Sequence, residues 1–151
     1  MRLSKDDETL IVNYVDEFGA KLNYNYRFVD RGNYTELTDG EKEFYIYENY
    51  EAAKEAAKES MRDLFDDIGI TAWNEDFIES IVPDEIVDFV RPAYEAVKNN
   101  NDYSLSRAGA WEKYLDQIFE ESISADGLGN TLSAYDGEEL QVNDYHIYRW
   151  N

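Results

Sequence analysis

The chain has 151 residues, a mass of 17.7 kDa and a formal net charge of -20 at pH 7, from 34 acids against 14 bases. It has no cysteine and one histidine, His146, which excludes disulfides, thiolate metal sites and multi-histidine metal centres. It lacks the run of about eighteen apolar residues that a membrane span needs, and Met1 to Glu8 hold no apolar signal core, so the expected compartment is the cytoplasm.

High net charge with few aromatics is the signature of disorder, but here 15% of residues are aromatic and 13 are tyrosine, so a folded chain is expected. Its length points to a single domain, 1–151, with a core of its own. Self-repulsion at this charge opposes compaction, and solubility alone needs a magnitude of only about 2–8.

The first fifty residues read as strands. Thr9 to Val15 is rich in β-branched residues. Phe18-Gly19 reads as a turn, after which Leu22, Tyr24, Tyr26 and Phe28 alternate with Asn23, Asn25 and Arg27, the period of a half-buried strand. Tyr34 to Leu37 and Glu43 to Tyr47 flank Asp39-Gly40, a hairpin signal.

A helix is predicted from Asn49 or Tyr50 to about Asp67, with Ala53, Ala57, Met61, Leu64, Phe65 and Ile68 as its apolar stripe and Gly69 at its C-terminal cap. Asn74 is placed to cap a short helix, and Pro83 suits the first turn of another over Asp84 to about Val90. Pro92 then breaks or kinks it before Ala93 to Lys98, and Asn99 to Asp102 form a loop. A further helix starts at Ser104 or Ser106, with Trp111, Leu115, Ile118, Phe119 and Ser122 on one face. Thr131 to Tyr135, Glu138 to Val142 and Tyr145 to Trp150 return to strand, with turns at Asp136-Gly137 and Asn143-Asp144. The expected class is α+β: an N-terminal antiparallel meander, central and C-terminal helices, and a C-terminal hairpin.

The charge is uneven. From Asp63 to Val90 there are nine acids and no base: Asp63, Asp66, Asp67, Glu75, Asp76, Glu79, Asp84, Glu85 and Asp88. From Ala108 to Tyr148 nine acids are opposed only by Lys113. Glu112, Asp116 and Glu120 recur every four residues, so on a helix they lie along one face at intervals of about 6 Å, and Glu121 follows them. The axial rise per phosphate on a DNA strand, about 3.4 Å, is of similar scale. The earlier helix interleaves its acids instead: Glu51, Glu55 and Glu59 are followed three residues on by Lys54, Lys58 and Arg62. Helix 51–67 therefore reads as a neutralised scaffold, and the later helices as a free acidic field. The bland alternative is that each run is the solvated face of an amphipathic helix.

Catalytic chemistry has little to stand on. There is no thiol nucleophile, His146 sits in a predicted strand, and Gly127-Leu128-Gly129 lacks the strand-then-helix setting of a phosphate loop. Asp126 to Asn130 and Asp136 to Glu139 lack the alternating ligands of a calcium loop. No basic patch favours direct nucleic-acid binding. No enzyme activity and no cofactor is expected. Tyr24, Tyr26, Tyr45 and Tyr47 suit a sheet, while Tyr103 and Tyr114 are candidate anchors among the carboxylates.

Leu132-Ser133-Ala134-Tyr135-Asp136-Gly137-Glu138-Glu139, followed by Tyr145 and Tyr148-Arg149-Trp150-Asn151, resembles the end of small acidic proteins of phage and prophage origin. In charge and size the chain is also similar to phage DNA-mimic proteins that block restriction enzymes or CRISPR effectors. That resemblance implies an anti-defence inhibitor whose partner is a basic nucleic-acid-binding protein, a host nuclease. The carboxylates expected to mimic phosphates are Asp63, Asp66, Asp67, Glu75, Asp76, Glu79, Asp84, Glu85, Asp88, Glu112, Asp116, Glu120 and Glu121. The second reading is an acidic adaptor that meets a protein through an aromatic sheet face carrying Tyr45 and Tyr47. The third is a small-ligand binder or enzyme with a hidden pocket. Oligomeric state is left open, a dimer included.

Overall fold

The computed structural model describes residues 1–151. The fold is α+β. Its elements are α1 (Lys5–Phe18), β1 (Arg27–Asp30), β2 (Thr35–Thr38), β3 (Glu43–Tyr47), α2 (Tyr50–Ile68), α3 (Glu75–Ile81), α4 (Asp84–Val87), α5 (Val90–Asn100), α6 (Leu115–Asp126), α7 (Gly129–Leu132), β4 (Leu140–Val142) and β5 (Tyr145–Arg149), with 3-10 turns at Gly69–Ala72 and Gly109–Tyr114. The strands form one antiparallel sheet in the order β1-β2-β3-β5-β4. No helix is long and apolar enough to cross a membrane.

The chain divides into two compact units. The first joins Met1–Ala57 to Asp126–Asn151 and holds the whole sheet; the second is Lys58–Ala125. Each carries a net charge of -10, from eighteen acids and eight bases in the first and sixteen acids and six bases in the second.

In the first unit, α1 corrects the expected strand at Thr9 to Val15. The Ser4 hydroxyl accepts from the Asp7 amide at 3.2 Å, and Asp6, Asp7 and Glu8 occupy the first turn, where they complement the helix dipole. Ile11, Val12 and Val15 then share one face, buried against Leu37, Phe44, Ile46, Val142 and Ile147 of the sheet. Burial of that face outweighs the strand preference of its β-branched residues. The expected strand at Leu22 to Phe28 shrinks to its last two residues, which open β1. Leu22 is buried but Tyr24 is 97% exposed, so the alternation there marked a turn and not a sheet face.

The β2–β3 hairpin follows expectation, with Leu37 opposite Phe44. Its turn is organised by Asp39, a buried carboxylate that accepts from the amides of Asn23, Glu41 and Lys42 at 2.9, 2.9 and 2.7 Å and pairs with Lys42 Nζ at 3.3 Å. Burial alone would raise its pKa, but these donors hold the carboxyl far below the usual carboxylate range. The expected strand at Thr131 to Tyr135 is replaced by α7 and a turn, in which Ser133 Oγ donates within bonding distance of Asp136 Oδ1 and the Arg149 carbonyl, both at 2.8 Å. The two tail strands are β4 and β5, and β5 lies between β3 and β4.

In the second unit, α2 ends where expected. Gly69 has φ +67°, and a Cβ there would lie 2.2 Å from the Ser106 backbone. The close approach lets the Ile70 amide donate to the Ser106 carbonyl at 3.0 Å, while Ser106 Oγ donates to the Ile68 carbonyl at 2.7 Å. This explains why no helix starts at Ser104 or Ser106: the serine closes the end of α2 instead. Pro83 occupies the cap position before α4, and Pro92 falls in the first turn of α5, where its missing amide is no loss. The buried apolar side chains include Met61, Phe65, Ile78, Val90, Leu115 and Ile118. Leu64, expected in the stripe of α2, is exposed.

Candidate functional site

All thirteen candidate carboxylates belong to the second unit. Ten of them are exposed, and Glu75, Glu79 and Glu120 are half-buried. They fall into two groups that differ in how their charge is met.

Glu112, Asp116, Glu120 and Glu121 follow Trp111, which is buried with its indole N–H donating to the Leu105 carbonyl at 2.8 Å. Glu112 lies in the 3-10 turn and the other three in α6. The bases of α2 reach three of them. Lys58 Nζ donates to Asp116 at 2.9 Å and to Glu120 at 2.6 Å. Arg62 forms a two-pronged pair with Glu112 at 2.6 and 2.7 Å, and its Nε lies 3.2 Å from Asp66. The row is therefore not the free acidic field expected from its spacing. Apart from the contact of Arg62 with Asp66, Lys58 and Arg62 meet not the acids of their own helix but carboxylates that follow it by about fifty residues or more.

The electrostatic consequences run in the expected directions. The Arg62 hydrogen bonds hold Glu112 below the ordinary carboxylate range against a smaller effect of burial. Burial pulls Lys58 down, but its bonds to Glu120 and Asp116 outweigh this and raise it.

The second group runs from Asp63 to Asp88. Asp63, Asp67, Asp76, Asp84, Glu85 and Asp88 are exposed and make no ion pair. Asp66 has Arg62, and Glu75 has Arg91 at 3.8 Å, an ion pair too long for a hydrogen bond. The Asp84-Glu85 and Asp88 side chains belong to the short α4 and its cap, next to Phe89, which is 63% exposed. Local sequence accounts for this placement: acids suit first helical turns, and α3 begins with Glu75-Asp76 as α4 begins with Asp84-Glu85.

The candidate anchors Tyr103 and Tyr114 are half-buried and lie under cations of their own unit, Arg107 at 5.7 Å and Lys113 at 5.2 Å. In the first unit, Tyr45 and Tyr47 share a sheet face with Tyr148, but Tyr47 is only 5% exposed and Tyr148 is fully buried. Tyr47 is therefore part of the core. His146 is buried as well, paired through Nδ1 with Glu139, which also accepts from the Tyr148 hydroxyl at 2.9 Å. No group of three or more acids and histidines is arranged to hold a metal ion.

Compared with protein families, with characterised proteins and with solved structures, the chain gives no significant match.

Proposed function

We propose that the second unit is a phosphate mimic that binds the nucleic-acid groove of a basic protein. The observation that carries this reading is the set of exposed carboxylates between Asp63 and Asp88 whose charge no base of the unit meets. Unpaired carboxylates left in water retain their field, steer a cationic partner and occupy the positions that phosphates would take. The reading narrows the candidate set. Asp63, Asp67, Asp76, Asp84, Glu85 and Asp88 are its principal residues, while Glu112, Asp116 and Glu120 hold Lys58 and Arg62 and serve the unit's own architecture. The resemblance to phage DNA-mimic proteins makes a host defence nuclease, a CRISPR effector or restriction enzyme, the partner of choice.

The test is capture from bacterial lysate on the immobilised protein, with elution by a salt gradient and displacement by added duplex DNA. The expected result is one discrete nucleic-acid enzyme, displaced by DNA, whose capture is lost when Asp76, Asp84 and Asp88 become Asn and Glu85 becomes Gln. A diffuse basic background, or capture indifferent to those changes, overturns the reading.

A further inference from the structure

The sheet carries a second surface of a different chemistry, and it stands independently of the phosphate-mimic reading. On β3, Glu43 and Tyr45 are two residues apart and so project from the same face. The register pairs Phe44 with Arg149, which puts Trp150 at the next position, beside Glu43; the Trp150 amide donates to the Glu43 carbonyl at 2.8 Å, and the Glu43 amide donates to the Asn151 carbonyl at 2.9 Å. Trp150 stacks on Tyr45 with centroids 5.5 Å apart and planes 16° from parallel, and Tyr34 continues the row at 4.7 Å from Tyr45. Trp150 is 45% exposed, and Tyr34, Tyr45 and Glu43 are half-buried.

The carboxylate within this row has no cation. Lys42, the next residue, turns to Asp39. Arg149 lies on the other face, over Phe44 and, at 3.6 Å, over Tyr135. Arg31 is held by Glu36 through two nitrogens at 2.8 and 2.7 Å. Arg27 is opposite Thr38, whose partner is Glu43, so it sits two strands away, at about 10 Å by strand spacing. Six cation-over-ring contacts occur elsewhere, and none involves Trp150, Tyr45 or Tyr34. Burial first, and then the charges of Tyr34, Glu43 and Glu36 against that of Arg31, push the Tyr45 hydroxyl up to about 12.

A tryptophan face, a stacked tyrosine and an unpaired carboxylate within one strand spacing are the parts that receive a guanidinium: the rings attract the flat cation over their faces, and the carboxylate takes its N–H groups. We propose that Trp150, Tyr45 and Glu43 form a docking site for an arginine side chain of a protein partner. A lysine gains less here, because its compact, strongly hydrated ammonium neither stacks nor presents a planar fork.

The probes are two peptides of equal length and charge, one of Gly-Arg repeats and one of Gly-Lys repeats, titrated calorimetrically into the intact protein at physiological salt. The arginine peptide is expected to bind about fivefold more tightly, and Glu43→Gln and Trp150→Leu are each expected to abolish that preference. Neutralising Asp84, Glu85 and Asp88 should weaken both peptides alike and leave the preference intact, so failure here and failure of phosphate mimicry are separable. Glu43→Gln conserves shape and carries the test if Trp150→Leu unfolds. In the unmodified protein, the Trp150 indole N–H resonance should move on addition of the arginine peptide. Equal binding of the two peptides, a preference that survives Glu43→Gln, or an unmoved Trp150 resonance overturns the proposal.

Discussion

Arg62 holds Glu112 through both terminal guanidinium nitrogens, at 2.6 and 2.7 Å, across 50 residues of sequence. This pair and the Lys58 bridges to Asp116 and Glu120 turn an apparent acidic row into a set of surface ion pairs within one unit. Replacing Arg62 by Gln should raise the titration midpoint of Glu112 to the ordinary carboxylate range, measured by NMR of the side-chain carboxyl. The sign follows from linkage. A depressed carboxyl stabilises the fold above its ordinary pKa and loses that contribution as pH falls through the lowered value, so the variant should lack this part of the acid limb. An unchanged Glu112 midpoint would refute the pairing.

Asp39 makes a stronger demand, because it is buried and accepts from three amides and one ammonium. Asp39→Ala is expected to cost about 3 kcal/mol in urea denaturation, the range for charge-assisted hydrogen bonds lost from a buried turn. Its pKa is lowered, so in the unmodified protein this contribution is complete above the usual aspartate pKa and fades as pH drops below it. A loss under about 1 kcal/mol would show that the turn forms without its carboxylate.

Gly69→Ala should be among the costliest alanine substitutions outside the core. The position has φ +67°, and the new methyl would meet the Ser106 backbone at 2.2 Å, so both strain and clash apply. A destabilisation of at least about 2 kcal/mol is expected, with a far-UV spectrum that keeps most of its helical signal. Gly32 offers an internal control. It has φ +91° but nothing within 4 Å, so Gly32→Ala should cost about 1 kcal/mol, the price of backbone strain alone.

Salt should stabilise this protein. With 34 acids, 14 bases and few close ion pairs to weaken, screening relieves more repulsion than it removes attraction. Melting temperature should rise by about 5 °C between about 0.01 and 0.5 M sodium chloride. A fall over that interval would mean that the ion pairs dominate the surface electrostatics.

Elements with strong local signals were legible in the sequence. The span of α2, its glycine stop and the Asp39-Gly40 hairpin appear as read, and of the expected apolar stripe of α2 only Leu64 turns out exposed, because each is fixed largely by residues within a few positions. The misreadings arose where two local signals competed. Ser4 and the acids after it announce α1, yet the β-branched run at Ile11-Val12 speaks for a strand; packing of Ile11, Val12 and Val15 on the sheet decides it. At the candidate site, the residue list could be drawn from charge runs, but the partition into paired and unpaired carboxylates could not. Lys58 is separated from Glu120 by 62 residues, and helical spacing alone assigns it to Glu55. Trp150 was missed for the same reason, since only the β3–β5 register sets it beside Glu43 and Tyr45.

The strand order also governs when the protein can become itself during synthesis. Because β5 lies inside the sheet, between β3 and β4, the β2–β3 hairpin waits with an open edge until residue 149 has emerged from the ribosome. Residues 58–125, a continuous stretch of chain that forms a compact unit, emerge earlier. A nascent chain stalled beyond that stretch would thus present the acidic helices before the arginine-docking face exists, and the two surfaces should be acquired in that sequence.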